Sequence, residues 1–365
     1  MDPNSINQSS FWQNSLSFLL ENGAVSALDD LQLPSIAFAS SGSTAAPRRF
    51  VLSKESLLLS ARIVNDHLHV DSASRWGLCL PWWHVGGFAV AARAFAASCG
   101  LEVFGDRWNA SIFLEWLKQK KITHLSLVPT QVYDLVALAV SAPAGLVAVV
   151  VGGGRLEGRL GQQARDLGWP VLASYGMTEA GSQIATASLQ SLTKPYRGDD
   201  LSILPCWRVR STTTATLQIK GPALFHGTLT AYHGNWRYLA RVDDWYETSD
   251  CGEISGALLT VTARCDDLVK VLGELVSPVR IESQLSDLGM PLGRFAVLAV
   301  PDSRKEHRLL LVIEHGCHAA WREILPAYHA NAPGFARLDE VMFTEELPRS
   351  PLGKILRREM RDRFS

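Results

Sequence analysis

The chain has almost no surplus charge. Its 365 residues carry 35 Lys and Arg against 36 Asp and Glu, a formal net charge of −1. A polyanion-binding protein needs a basic face, so the composition makes no case for a nucleic-acid partner. The one local cluster, Arg357, Arg358, Arg361 and Arg363, reads as one face of a terminal helix. Long apolar runs are also missing, and none reaches the roughly 18 residues that a membrane span takes. The start, Met1 to Ser10, is polar and lacks the basic opening and apolar stretch of a secretory signal. The six cysteines, at 79, 99, 206, 251, 265 and 317, are scattered without zinc-ligand or redox spacing. They lead to the expectation of reduced thiols in a reducing compartment. Together these absences point to a soluble, cytoplasmic protein. Hydrophobic residues at 47% and charged residues at 19% give a globular balance, with length for one large core and one smaller one.

What is present begins with Ser40-Ser41-Gly42-Ser43-Thr44-Ala45-Ala46-Pro47-Arg48-Arg49. It follows Leu33 to Ala39, an apolar run short enough to be a buried strand. A small, hydroxyl-rich loop at a strand end is suited to phosphate. Hydroxyls and backbone N–H groups can point at the anion, and glycine lets the backbone come close. Arg48 or Arg49 would add charge in a fork that fits phosphate oxygens. The segment lacks the Gly-Lys-Ser/Thr of a Walker A loop. Taken alone, it reads equally well as a Ser/Gly linker.

Further along, Ser53 to His67 has helical spacing with Ser53 and Ser56 as caps. Short apolar strands at Gly77–Leu80, Leu101–Phe104, Thr123–Val128, Leu146–Val151 and Pro170–Ala173 alternate with helical stretches. That alternation over residues 30–175 implies βαβ units and a mostly parallel sheet. Loops starting at Ser40, Pro81, Pro129, Gly152 and Ser174 then lie at strand carboxyl ends, where such sheets bind ligands. From about Arg208 the pattern changes to antiparallel strands, and after Asp266-Asp267 to a smaller α+β unit. Of eleven tryptophans, Trp76, Trp82 and Trp83 fall near one candidate site.

Four further segments carry candidate chemistry. In Ser174-Tyr175-Gly176-Met177-Thr178-Glu179, the glutamate is a hard oxygen ligand suited to Mg²⁺. By itself the run also reads as a strand-to-helix turn capped by Thr178. Asp250, after Trp245-Tyr246-Glu247-Thr248-Ser249, can accept both hydroxyls of a ribose, or be a plain turn aspartate. Arg264 to Glu274 is charge-dense at the apparent domain boundary, where a solvated linker is the plainer reading. Pro348 to Arg357 places Lys354 after a Pro/Gly-bounded turn, and a surface lysine is its plainer reading.

In this order and spacing the five segments resemble the adenylate-forming superfamily of acyl-CoA synthetases, luciferases and peptide-synthetase adenylation domains. The resemblance runs from about Ser40 to the C-terminus. It implies an α/β fold. Residues 1–264 would form a large N-terminal domain with mostly parallel sheets plus a β-rich unit, binding ATP and a carboxylic acid. Residues 265–365 would form a small, mobile α+β C-terminal domain. The implied reaction is an AMP-forming acid–thiol ligation through an acyl-adenylate, with ATP, Mg²⁺ and coenzyme A.

Carried over by motif, Ser41, Gly42, Ser43 and Thr44 would cradle the β- and γ-phosphates, with Arg48 beside them. Gly152, Gly153 and Gly154 would line the adenine pocket, with Tyr175 and Gly176 nearby. Thr178 would touch the α-phosphate and Glu179 would hold the metal. Asp250 and Arg264 would bind the ribose, Asp266 would be the hinge, and Lys354 the adenylation lysine. Gly273 and Glu274 would face the site only during thioester formation.

Two details narrow the resemblance to the o-succinylbenzoate–CoA ligases of menaquinone synthesis. Pro81-Trp82-Trp83-His84-Val85-Gly86-Gly87 resembles their acyl-site segment, with His84 either contacting the acyl group or capping a helix. Ser182-Gln183 resembles a pair near their aromatic acid, which carries a second carboxylate. Alternatives stay open: a CoA ligase for another aryl or acyl acid, a stand-alone enzyme loading a carrier protein, or a non-catalytic nucleotide-binding homologue. A homodimer is open as well. The chain departs from the family pattern at Ala45, Arg48 and Ser249, where glycine, lysine and glycine are usual. Only 39 residues precede Ser40, so a reduced N-terminal subdomain is expected.

Overall fold

The computed structural model describes residues 2–21, 23–28, 31, 33–39, 48–199, 201–232, 235–291, 293–316, 321–349 and 355–364. The side chains of Asp266 and Arg358 are not among what it describes.

Helices α1 (Pro3–Ile6) and α2 (Ser9–Gln13) come first. Strands β1 (Ser17–Glu21), β2 (Ala24–Leu28), β3 (Ser35–Ala39) and β4 (Arg49–Ser53) follow. The next stretch alternates: α3 (Lys54–His67), β5 (Arg75–Leu78), α4 (Val85–Ala96), β6 (Gly100–Val103), α5 (Ala110–Lys120), β7 (His124–Leu127), α6 (Pro129–Ala137), β8 (Ala148–Val151), α7 (Gly158–Asp166) and β9 (Val171–Met177). An all-strand stretch carries β10 (Ser182–Thr186), β11 (Leu201–Ile203), β12 (Arg208–Ser211), β13 (Thr216–Lys220), β14 (Gly227–Tyr232), β15 (Asn235–Ala240), β16 (Tyr246–Ser255) and β17 (Leu258–Arg264). The last part holds β18 (Val269–Val271), β19 (Glu274–Val276), α8 (Pro278–Asp287), β20 (Phe295–Asp302), β21 (Glu306–Glu314), α9 (Trp321–Asn331), β22 (Glu340–Thr344) and α10 (Arg357–Phe364).

An eleven-stranded sheet runs β12-β13-β16-β17-β11-β10-β9-β8-β7-β5-β6. Its β9-β8-β7-β5-β6 half is parallel, and the remainder is antiparallel. All four residues of β8, Ala-Val-Val-Val, are buried, as expected of a parallel strand covered on both faces. A six-stranded sheet runs β15-β14-β4-β3-β1-β2. Between the two sheets lie α3 and α4. Phe88 of α4 meets Phe38 of β3 edge-to-face at 5.2 Å, while α4 also packs on β5 and β7. The alanines of α4 leave little side chain in the way, so helix and sheet approach closely. Ser53 caps α3, its hydroxyl accepting from the Ser56 N–H at 3.0 Å.

Three features differ from the sequence expectation. Strands β3 and β4 pair antiparallel in the second sheet and are not part of a βαβ unit. The connection between them is too short for a parallel crossover. Strand β9 continues through Tyr175 and Gly176 to Met177 and turns back into β10, so the Thr178-Glu179 turn joins two strands and precedes no helix. Cys251 and Cys265 form a disulfide, so not all six cysteines are free thiols.

The N-terminal segment is tied down by a buried lysine. Lys54 Nζ donates to Phe11 O at 2.8 Å, Asn14 O at 3.1 Å and Asn14 Oδ1 at 2.7 Å. It also sits 4.6 Å over the Phe11 ring. Burial pushes its ammonium down to about 8.

A second core forms after Val269. Strand β20 alternates between two clusters, as a strand with both faces covered must. Phe295, Val297 and Ala299 join a cluster with Ile281, Leu285 and Tyr328, while Ala296, Leu298 and Val300 join one with Met360. The first core takes no residue beyond Val261.

Candidate active site

The end of β9 and the turn after it meet β16 where it pairs with β17. Antiparallel pairing sets Asp250 directly opposite Arg264, with Arg264 Nε 3.8 Å from Asp250 Oδ1. From β9, the Tyr175 hydroxyl donates to Asp250 Oδ2 at 2.7 Å. The Asp250 N–H is held by Thr248 Oγ1 at 3.1 Å. Burial, then the Asp250 carboxylate, pushes the Tyr175 phenol far up, so it stays a donor. The result is a fixed carboxylate beside a tyrosine and an arginine, matched to a sugar diol and its base.

Glu179 lies one turn further on. It is part-buried, its Oε1 accepts from the Tyr246 hydroxyl at 3.2 Å, and its backbone carbonyl accepts from Phe225 N at 2.8 Å. Burial raises its pKa, and the hydrogen bond from Tyr246 acts against that rise. Among the described residues no group of three or more His, Cys, Asp or Glu forms a metal cage. A lone carboxylate in a low-dielectric setting suits Mg²⁺, which takes one or two carboxylates and completes its shell with phosphate oxygens and water. Arg48 is exposed, yet close enough to pull the Tyr246 phenol downward against the effect of burial.

Gly152, Gly153 and Gly154 follow β8, with Ser174 Oγ donating to Val151 O at 3.0 Å just beside them. At Gly176 a Cβ would stand 2.0 Å from Ser182 O, so only glycine permits β9 and β10 to come this close. Gly87 similarly has no room for a Cβ, which would lie 2.3 Å from Pro81 O. That fixes the entry into α4 and places His84 at its N-cap position. His84 makes no side-chain cap hydrogen bond, and burial lowers its pKa.

Beside Ser182 the structure adds a residue that sequence reasoning missed. Arg93 of α4 is 1% exposed, and its guanidinium lies 5.3 Å over the Trp76 ring. Nη1 donates to Ser126 Oγ at 3.2 Å and Nη2 to Ser182 Oγ at 2.9 Å. Nε is buried without a hydrogen-bond partner, and among the described residues no carboxylate pairs with Arg93. Burial holds the guanidinium below its usual value. Ser182 has φ = 139°, a backbone geometry that costs a side-chain-bearing residue on the order of 1–3 kcal/mol. Gln183 is buried, and its Oε1 accepts from Thr186 Oγ1 at 2.8 Å. The available signal was a lone arginine in the otherwise apolar helix Val85–Ala96.

Several expected site residues lie outside the described residues: Ser41, Gly42, Ser43, Thr44, Ala45 and Lys354, and the side chain of Asp266. Gly273 has φ = 83° and its N–H donates to Glu306 Oε2 at 2.9 Å, while Glu274 is exposed.

Comparison with known proteins gives a consistent picture. A family model described as AMP-binding enzyme matches residues 25–227. The 2-succinylbenzoate--CoA ligase of Escherichia coli (strain K12) is 29% identical over 277 residues, covering 75% of this chain and 57% of its own. That of Bacillus cereus (strain ATCC 10987 / NRS 248) is 25% identical over 333 residues, 88% of this chain and 68% of its own. The chain thus spans little more than half the length of the first and two thirds of the second. Among solved structures, o-succinylbenzoate CoA synthetase (MenE) from Bacillus subtilis with the acyl-adenylate intermediate OSB-AMP aligns with a TM-score of 0.77. The identity there is 22%, over 90% of this chain and 69% of that one. ATP-bound MatB from Rhodopseudomonas palustris aligns with a TM-score of 0.79 at 22% identity, over 94% and 70%. At such identities the likeness is one of fold.

Proposed function

The chain belongs to the family of AMP-binding enzymes, and on that premise we propose that it is an ATP-dependent acid–CoA ligase acting on an aryl dicarboxylic acid of the o-succinylbenzoate kind. The observation that carries the choice of acid is Arg93. A buried guanidinium with an unpartnered Nε and no carboxylate is a receptor for an anion. Held by Ser126 and Ser182, it would take the carboxylate that does not react. The names of the similar ligases agree with this reading.

In this reading one carboxylate of the acid attacks the α-phosphorus of ATP, releasing pyrophosphate. The coenzyme A thiol then takes the acyl group and AMP leaves. Both reactants of the first step are anions, so positioning and charge neutralisation matter more than proton transfer. Asp250, fixed by Tyr175 and Arg264, holds the ribose. Glu179 would hold Mg²⁺, which supplies charge neutralisation at the phosphates when bound. Thr178, next to Glu179 in the chain, Arg48 and the 41–44 loop would meet the phosphate chain. Lys354 would supply the positive charge that neutralises the anions in the adenylation step. Residues 265–365 form the part that turns, about Asp266, between the two steps. Cytoplasmic residence, where ATP and coenzyme A are abundant, belongs to the same proposal.

The test is pyrophosphate release, and then thioester formation, across a panel of acids. Turnover of o-succinylbenzoate above benzoate and fatty acids is expected. ATP- and CoA-dependent turnover of benzoate or a fatty acid, with none of o-succinylbenzoate, would reject the acid assignment.

A further inference from the structure

The Cys251–Cys265 disulfide joins the two places on which the proposed reaction turns. Cys251 directly follows Asp250 on β16 and is 6% exposed. Cys265 directly follows Arg264, and its Cα lies 5.9 Å from that of Cys251. The ladder between β16 and β17 pairs Asp250 with Arg264 and Cys251 with Ala263, so it ends one residue before Cys265. Pairing on the far side begins at Val269, opposite Val276. Lys270 O takes His307 Nδ1 at 3.0 Å, and Leu272 N donates to Lys305 O at 3.0 Å. Between these anchors the chain makes a local turn that packs on β16, with Leu268 N donating to Cys265 O and Thr216 Oγ1 3.6 Å from Cys265 Sγ. The apolar packing divides here too, the first core taking no residue beyond Val261 and the second starting at Val269, while α8 touches α7 and β17 across the divide and Ser283 Oγ donates to Glu157 Oε2. The disulfide therefore moves the anchor of the first body one residue outward, to the position before Asp266.

We propose that Cys251 and Cys265 are a reversible thiol–disulfide modification site that sets the freedom of the joint between the two bodies. Oxidation takes Cys265 out of the joint and ties it to the strand that holds Asp250. Reduction returns it. The proposal rests on the reading that the chain turns about Asp266. The chemistry needs a small-molecule disulfide, such as oxidised glutathione, as the oxidant. The Cys265 thiolate, the more exposed of the two, attacks that disulfide, whose S–S bond breaks and releases one thiol. The Cys251 thiolate then displaces the second thiol and closes the intramolecular bond. Two protons and two electrons leave the cysteine pair, and the oxidant becomes two thiols. In a reducing compartment the bond is made and broken by exchange with that pool. Among the described residues Cys79, Cys99 and Cys206 are free thiols elsewhere, and burial pushes all three upward, which disfavours their exchange.

The experiment uses the full chain, equilibrated once with excess oxidised glutathione and once with a phosphine reductant. Peptide mass spectrometry reads the 251–265 linkage, amide exchange reads residues 264–270, and two assays read pyrophosphate exchange and overall thioester formation. In the oxidised chain we expect the linked peptide and amide exchange at 264–270 slower by roughly tenfold. Thioester formation should be about tenfold slower while pyrophosphate exchange changes less than about twofold, with recovery on reduction. Cys265→Ser should show no response to the oxidant, and the reduced wild type gives the same comparison should that variant fold poorly. Two thiols persisting at excess oxidant, or equal amide exchange in both states, would overturn the proposal. A wrong acid assignment would instead show in the acid panel and leave the peptide and exchange readouts untouched.

Discussion

Tyr175 and Ser182 sit on neighbouring strands, β9 and β10, joined by a single tight turn, yet their electrostatic settings are opposite. Tyr175 donates to Asp250, which has Arg264 on its other oxygen. That half of the site is built from mutually satisfied groups and needs little rearrangement to receive a ribose. Ser182 faces a buried arginine whose Nε has nothing to donate to. Such a guanidinium costs stability until a carboxylate arrives, because burial penalises a charge that lacks a counter-charge. On the proposed function, the satisfied half would take the nucleotide and the half with the unmet charge would select the acid.

Mutations in the two halves should therefore separate cleanly. The largest effect belongs to the step that both halves serve. Lys354→Ala should slow acid-dependent pyrophosphate release by on the order of 10²–10³-fold, while a supplied acyl-adenylate still becomes thioester. Rapid-quench assays of the two half-reactions check this, and unimpaired adenylation would sink the lysine's role. Next comes Asp250→Asn, which weakens the ribose acceptor. It should raise the KM for ATP by roughly tenfold and leave the KM for the acid unchanged, as steady-state kinetics would show. A matching rise in the KM for the acid would mean that the two halves are not separate.

The smallest effect is expected at Tyr246. Burial raises the pKa of Glu179, so as pH falls the carboxylate protonates earlier than an exposed glutamate, and the magnesium requirement should climb from there. Magnesium-free stability runs the opposite way with pH. The folded chain binds the extra proton between the ordinary and the raised value, so magnesium-free stability falls as pH rises through that window. The hydroxyl of Tyr246 favours the ionised form. Tyr246→Phe should thus move the onset to higher pH and raise the half-saturating magnesium concentration by about threefold at neutral pH. A magnesium titration across pH in both proteins checks it, and superimposable curves would remove Tyr246 from the account.

The sequence was informative wherever chemistry depends on local order. The strand before the 40–49 loop and the Tyr175–Glu179 run were readable from spacing, while Asp250 and Arg264 were brought to one site only by the resemblance to the adenylate-forming superfamily. What was not readable depended on partners distant in the chain. Arg93 meets Ser182 only because α4 packs across the sheet, and nothing near Arg93 in sequence announces that contact. Cys251 and Cys265 meet because the β16–β17 hairpin folds back on itself, although their spacing matches no redox motif. The placement of β3 was misjudged because an apolar strand looks alike in a parallel and an antiparallel sheet, and β4 was not read as a strand at all. Lys54, a charged residue at a helix start, gave no hint that it pins Phe11 and Asn14.

The central claim is that Arg93 holds the acid's second carboxylate. It is tested most directly by comparing kcat/KM for o-succinylbenzoate and for benzoate in the wild type and in Arg93→Met. The account predicts that the wild-type preference for the dicarboxylate falls by roughly 10²-fold in the variant, with benzoate turnover and the KM for ATP little changed. An unchanged preference in a folded Arg93→Met protein would contradict it.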